Sequence, residues 1–333
     1  MENKLSQLIK QVQRLPEDCL DDVIDYINGK IEDSAEGKPA PPCPHCKDEG
    51  VTKFGFKHGK QRYRCKGCGK TFLATTNTAM YNSRFGEAVW RQVVRDTVDG
   101  IPIDETAEAI GASHTTAFLM RHKVLLSLEA EECRKPTVLD GVCELDDTYV
   151  LESLKGTGIP EDYWRKARKH GAKAKKRGVS SEYIAISTGL ERDGQAYSKS
   201  VTRATPGKDD VIAVFGNHIG QEALILCDGA KSYAALGETG DYPVQNVCAD
   251  GSKAGKGFYN INTSNSFHGF IKDRYIGYKG VATKYLNRYN ALFSKAFRCS
   301  DDLADEIYNM LSSSDSQRFH SVVDVKALNL LEI

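Results

Sequence analysis

The chain has 333 residues, with 45 Lys and Arg against 45 Asp and Glu, 40% hydrophobic residues and 27% charged ones. This is a globular composition with room for two or three domains, and it excludes disorder and collagen-like repeats. No run of eighteen apolar residues occurs, and the opening MENKLSQLIKQVQRLPED lacks the apolar core of a secretory signal, so the expectation is a cytoplasmic protein with no membrane partner. In that compartment the ten cysteines read as thiols rather than disulfides.

The zero net charge is a sum of opposites. Residues 1–40 carry five Lys and Arg against nine Asp and Glu, residues 43–72 eight against two, and residues 165–177 eight against none. Such local basic clusters attract a polyanion whatever the total charge, because each phosphate contact releases counterions. Any one charge run can also be a solvated face.

In chain order, Leu5, Ile9, Val12 and then Leu20, Val23, Ile24 and Ile27 stand at helical spacing. With the polar, proline-bearing stretch 29–42 they predict a helical hairpin and linker over 1–40, its stripe either a small core or a subunit contact. Cys43, Cys46, Cys65 and Cys68 then form two C-x-x-C knuckles eighteen residues apart. Two knuckles supply the four soft thiolates that tetrahedral structural zinc prefers, which predicts a zinc ribbon over 41–78. Lys53, Lys57, Lys60, Arg62, Arg64, Lys66 and Lys70, interleaved with Phe54, Phe56, Tyr63 and Phe72, suit a phosphate backbone. A protein-contact module fits the same residues.

Residues 79–135 read as a helix-turn-helix region. Ala107 and Ile110 face inward, Gly111 makes the turn, and Ser113 caps a second helix on which Thr115, Thr116, Arg121 and Lys123 could meet bases or phosphates. A plain helical connector would look similar. From residue 139 the pattern changes to strands: VCELDDTYVL, EYIAISTGLE and AYSKSVTRA, a helix near 207–216, and the apolar run ALILCD ending at Asp228. Three strands, a helix and a buried strand is the order of an RNase H-like mixed sheet, which brings Asp146 near Asp228. Paired carboxylates repel, and a hard divalent cation such as magnesium is the usual reason to tolerate them; surface aspartates at strand ends are the other reading. Alternation sets Glu144 and Asp146 on one face of the strand and Leu145 and Asp147 on the other, and does not choose between the acidic faces.

Six segments in order, Cys43 to Phe72, TTAFLMRHKVL, ELDDTY, RKARKHGAKAKKRGVS, LILCDGAKSY and NTSNSFHGFIKDRYIGYKGVATKYLNRY, resemble bacterial insertion-sequence transposases with an N-terminal zinc ribbon and a DDE-type catalytic domain. The likeness spans residues 40–298. It implies a multidomain α+β chain: the helical hairpin, the zinc ribbon, the helix-turn-helix, then an RNase H-like mixed α/β catalytic domain over 139–298, with 299–333 an unassigned C-terminal extension. It implies Asp146 and Asp228 as catalytic magnesium ligands, with manganese as a substitute. Asn265 stands as the third ligand where a Glu is common, and Lys272 seven residues on holds a DNA phosphate. Asn265 is otherwise read as a helix N-cap, and His268 as a local hydrogen-bonding residue.

The implied activity is that of a DNA transposase which binds terminal inverted repeats and carries out magnesium-dependent strand cleavage and strand transfer. Its partner is double-stranded DNA, held by a dimer or larger assembly in a nucleoid-associated location. The basic run Arg165, Lys166, Arg168, Lys169, Lys173, Lys175, Lys176 and Arg177 would lie along end or target DNA. The missing third carboxylate keeps open a second class, a catalytically inactive zinc-ribbon and helix-turn-helix DNA-binding regulator, and a structure-specific nuclease is a third.

Overall fold

The computed structural model describes residues 40–57, 60–156, 161, 163–166, 172–228, 231–240, 242–247, 255–298 and 302–313. The hairpin expected before residue 40 lies outside the described residues, as does the C-terminal extension apart from 302–313. The chain divides into two compact units, one of residues up to 92 together with 308–320, the other of 93–307 together with 321–333.

In the first unit β1 (Val51–Lys57), β2 (Lys60–Cys65) and β3 (Thr71–Leu73) form an antiparallel sheet in that order. The pairing Val51 to Cys65 and Tyr63 to Phe72 puts these four side chains with Cys43 in one small cluster, Tyr63 and Phe72 stacking at 5.7 Å. Gly55, at φ +69°, sits where the β1–β2 register shifts between Lys53 and Phe56, a bulge that a residue without Cβ enters freely. A cluster this small cannot hold a sheet alone, so a sheet of this size calls for a further staple.

Helix α1 (Glu87–Asp99) begins in the first unit and ends in the second. It is followed by α2 (Ile103–Ala109) and α3 (His114–Arg134). The turn between α2 and α3 has the geometry expected from the sequence: Gly111 takes φ +61°, and Ser113 Oγ accepts the Thr116 N–H at 3.2 Å. Beyond its first turn, however, α3 is buried without interruption from Met120 to Leu128.

The sheet of the second unit has the order β6-β5-β4-β7-β8. Strands β4 (Val142–Leu151), β5 (Tyr183–Glu191) and β6 (Ala196–Arg203) are antiparallel, in the positions read from the sequence. Helix α4 (Lys208–Phe215) then leads to β7 (Leu224–Cys227), parallel to β4, and α5 (Lys231–Gly240) to β8 (Val244–Asn246), parallel to β7. One face buries Leu139, Leu145, Val214, Phe215, Ile225, Cys227, Tyr233 and Leu236. Gly189 of β5 is required there, since a Cβ would stand 2.7–2.8 Å from Leu139, Leu145 and Phe215.

A short hairpin, β9 (Gly255–Lys256) and β10 (Tyr259–Asn260), precedes α6 (Asn262–Gly277), which packs on the opposite face of β4 and β5. A 3-10 turn (Thr283–Tyr285) leads into α7 (Leu286–Ala296), which lies between β6 and α3; α8 (Leu303–Ser312) ends the described chain.

Between α3 and α7, His122 is enclosed by Phe118, Tyr285 and Tyr289, and Arg288 Nη1 donates to its Nδ1 at 2.9 Å. Burial, then the charges of Arg288 and Arg121, hold this imidazole well below the ordinary range. The folded chain thus refuses a proton that the unfolded chain accepts near pH 6.5. The stabilisation is full above that pH and is lost as pH falls through it, at up to about 1.4 kcal/mol per pH unit. Urea unfolding from pH 8 to 5 should show this slope, and His122→Asn, which keeps an acceptor for Arg288, should flatten it; equal slopes would contradict the assignment.

Candidate active site

Strand alternation divides the acidic run of β4 between two environments. On one face the Glu144 Oε2 accepts the Ser264 N–H at 3.0 Å, tying the strand to the first turn of α6. On the other, Asp147 Oδ1 accepts the Ser187 and Tyr233 hydroxyls, each at 2.7 Å, beneath α5. The faces that the sequence leaves open are therefore distinguished: Asp146 turns to α6 with Glu144.

β4 and β7 run in parallel register with Leu145 opposite Cys227, both in the same core cluster, so Asp228 follows beside Asp146 at the carboxyl end of β7. Burial pushes the Asp146 carboxyl up to about 7, and the charges of Asp228 and Asp147 add to the rise; the Asp147 N–H, 2.8 Å from Asp146 Oδ1, and Lys272 oppose it. Asp147 is raised too, first by burial, with Asp228 contributing.

Helix α6 supplies the facing wall. Asn265, His268 and Lys272 lie three and four residues apart, on one helical face. Asn265 and Lys272 are exposed and His268 is buried. Asn265 stands inside the helix, whose N-cap is Ile261, so the N-cap reading of Asn265 is corrected. His268 hydrogen-bonds across to β5, 2.8 Å from its Nε2 to Thr188 Oγ1, and its Nδ1 lies 3.7 Å from Asp146 Oδ2. Burial, then Lys272, lowers its imidazole to about 4. Asp146 and Asp228 are hard-oxygen donors, and Asn265 lies on the helix face that carries His268; a divalent cation would relieve the repulsion that contributes to the rise at Asp146.

The family model of the ISXO2-like transposase domain matches residues 138–298, the segment that holds this site. An uncharacterized protein in transposable element ISH50 of Halobacterium salinarum is 25% identical over 254 residues, 75% of this chain and 83% of that protein. Over residues 138–298 the chain is thus similar to insertion-sequence transposases. A solved structure of a pre-cleavage Mos1 transpososome covers 69% of this chain and 79% of its own at 12% identity, with a TM-score of 0.27, a likeness too low to add to the assignment.

The four knuckle cysteines converge, with their sulfurs all within 4.8 Å of one another. Cys43 and Cys68 sulfurs stand 3.6 Å apart and Cys46 and Cys65 sulfurs 3.5 Å. Four sulfurs on one tetrahedral zinc at about 2.3 Å lie about 3.8 Å apart, so the cluster fits that ion. The Cys46 thiol is pushed up to about 12, backbone donation from Asp48 being outweighed by the neighbouring thiols and burial, while at Cys43 burial is outweighed by hydrogen bonds that bring it down to about 7.

The expected DNA contacts divide by burial. Thr115 is exposed and Thr116 half-buried. Arg121 is 1% exposed, its guanidinium donating to the Ile101 carbonyl and Thr106 Oγ1 and lying over Tyr278; it is a packing residue, and the DNA reading of it is corrected. Lys123, 8% exposed with its ammonium pKa lowered by burial, is corrected likewise. Both fall on the stretch of α3 that faces the protein interior.

Arg165 is corrected as well. It donates to Glu152 Oε2 from Nε at 3.0 Å and from Nη2 at 2.7 Å, and Arg203 takes the other oxygen at 2.8 Å. Burial alone would raise the Glu152 carboxyl; Tyr163, Arg203 and Arg165 outweigh it and bring it below its ordinary value. Lys166, Lys173, Lys175, Lys176 and Arg177 are exposed, while Arg168 and Lys169 lie outside the described residues. Glu182 Oε2 accepts the backbone N–H groups of Lys175 and Lys176, at 2.6 and 3.1 Å, and so fixes the backbone from which those side chains project.

Sequence reasoning missed the positioning roles of Glu144, Glu152 and Glu182. Glu144 carries the most for the site: with no exposed surface, it receives Arg192 Nε at 2.8 Å as well as the α6 amide. Its place two residues before Asp146 on the same face was the available signal, but Arg192 is 48 residues away in sequence.

Two measurements follow from these sites. Metal analysis should return about one zinc per chain, lost when Cys65 and Cys68 are replaced together by Ala; zinc retained by that variant would contradict the ribbon site. Glu144→Ala leaves Arg192 and the Ser264 amide without their acceptor and should cost about 3–5 kcal/mol in urea unfolding; a loss under about 0.5 kcal/mol would show that the carboxylate does not hold α6.

Proposed function

We propose that this protein is a DNA transposase that binds the terminal inverted repeats of its element and carries out divalent-metal-dependent cleavage and strand transfer on an RNase H-like catalytic domain. The observation that carries the reading is the placement of Asp228, at the carboxyl end of β7, beside Asp146, whose carboxyl is raised by burial and by the Asp228 charge and faces α6. Two acids are kept together there against their mutual repulsion, in the segment matched by the transposase domain.

Asp146, Asp228 and Asn265 would hold magnesium, with manganese as a substitute. When bound, the metal supplies activation of the attacking water or 3′-hydroxyl and stabilisation of the leaving oxygen in an in-line displacement. The chain's own residues do the positioning. Glu144 and Arg192 fix the start of α6 against β4, and Lys272 meets a scissile-strand phosphate from the same helix face. Because Asn265 brings an oxygen without charge, Lys272 would neutralise phosphate rather than pair with a third acid. The zinc ribbon and the exposed start of α3, His114 to Thr116, would hold end DNA; Lys166, Lys173, Lys175, Lys176 and Arg177 would track a duplex backbone. Two ends cut together call for a dimer or larger assembly on DNA.

Asp146→Ala should abolish magnesium-dependent cleavage and joining of end-containing DNA by at least about 1,000-fold while DNA binding persists. Parent and variant equally inert, with both binding DNA, would establish the regulator in its place. Replacing Lys173, Lys175, Lys176 and Arg177 by Ala should weaken DNA binding and reduce the salt slope by about three to four. An unchanged slope would reject the basic segment as a DNA track.

A further inference from the structure

The hydrogen bonds around His268 determine which of its ring nitrogens carries the proton. Thr188 Oγ1 lies 2.8 Å from the Asp146 carbonyl oxygen and 2.8 Å from His268 Nε2. A hydroxyl has one proton to give, and a backbone carbonyl can only accept. The Thr188 proton therefore goes to Asp146 O, and Nε2 must donate its own proton to Thr188. That leaves the lone pair on Nδ1.

Nδ1 faces Asp146 Oδ2 across 3.7 Å, in a side chain only 10% exposed. Asp146 Oδ1 is occupied by the Asp147 N–H, so Oδ2 is the oxygen turned toward the ring. Among the described residues, no hydrogen-bond donor reaches Nδ1. Two acceptor atoms thus stand 3.7 Å apart on the middle of β4 and the second turn of α6, and a positive centre between them would make that arrangement favourable. Two atoms bound cis to one cation at about 2.1 Å stand about 3 Å apart, within a small tilt of the imidazole from the present separation.

We propose that His268, through Nδ1, is a nitrogen ligand of the cation held by Asp146, so that the site prefers manganese(II) to magnesium. The proposal rests on the metal-dependent reading above and adds a ligand to it. An imidazole nitrogen is softer than a carboxylate oxygen and favours a transition metal over magnesium. Thr188 becomes the positioning residue that fixes the tautomer, as carboxylates and carbonyls do for other metal-bound histidines.

The test is pulsed electron paramagnetic resonance on the full chain, zinc-loaded and with one equivalent of manganese(II), its histidines carrying either nitrogen-14 or nitrogen-15. The expected result is the modulation of a directly bound imidazole nitrogen, changing with the isotope and absent in His268→Gln. Manganese affinity should fall about 10-fold or more in that variant, and magnesium affinity by less. Manganese that binds the parent and is displaced by Asp146→Asn, yet shows no nitrogen coupling, would overturn the histidine ligand and leave the acidic site standing. Manganese binding that Asp146→Asn does not weaken would overturn both. The decisive spectrum is that of the parent protein, so it does not depend on a variant folding.

Discussion

The structure is organised around an unfavourable contact. β4 and β7 run side by side in parallel, and their register brings Asp228 beside Asp146, where its charge adds to the cost, set first by burial, of ionising Asp146. A fold seeking stability alone would place an amide or an apolar residue at one of these positions. Here much of the surrounding structure holds the pair in place: Leu145 and Cys227 lock the register from the opposite face, and Glu144 ties α6 across the strand. Paired acids held by so much packing suit a functional role rather than a stabilising one, in keeping with the match of residues 138–298 to the ISXO2-like transposase domain.

A second pattern is the way acids on the sheet govern the basic residues. Glu152 draws Arg165 and Arg203 inward, Glu144 draws Arg192, and Glu182 uses its carboxylate on backbone amides beside Lys175 and Lys176. The first two interactions consume positive charge in the scaffold. The third leaves the lysine side chains outward and fixes only the backbone beneath them. A run of eight basic residues in the sequence therefore contains different kinds of positive charge, and only the exposed kind is available to a polyanion.

What the sequence revealed follows from the range of the forces involved. The knuckle spacing, the Gly111–Ser113 turn and the strands of the central sheet are set by local backbone chemistry and alternation, and each stands where the pattern puts it. Burial of Arg121 and Lys123 was not legible, because it depends on α7, more than 150 residues further along the chain, and α3 shows no polar face to announce it. The choice between Asp146 and Asp147 was equally out of reach from alternation, since it turns on which face α5 and α6 each cover. His268 was read as a local hydrogen-bonding residue rather than a ligand; it does hydrogen-bond, but its partner Thr188, which sets its tautomer, is 80 residues away in the sequence.

The most direct test of the central claim is the anomalous scattering of crystals of the chain soaked in manganese(II). The account requires a peak about 2.1–2.3 Å from carboxylate oxygens of both Asp146 and Asp228. Full manganese occupancy elsewhere with none between those two side chains, or carboxyl groups lying too far apart to share an ion, would contradict it.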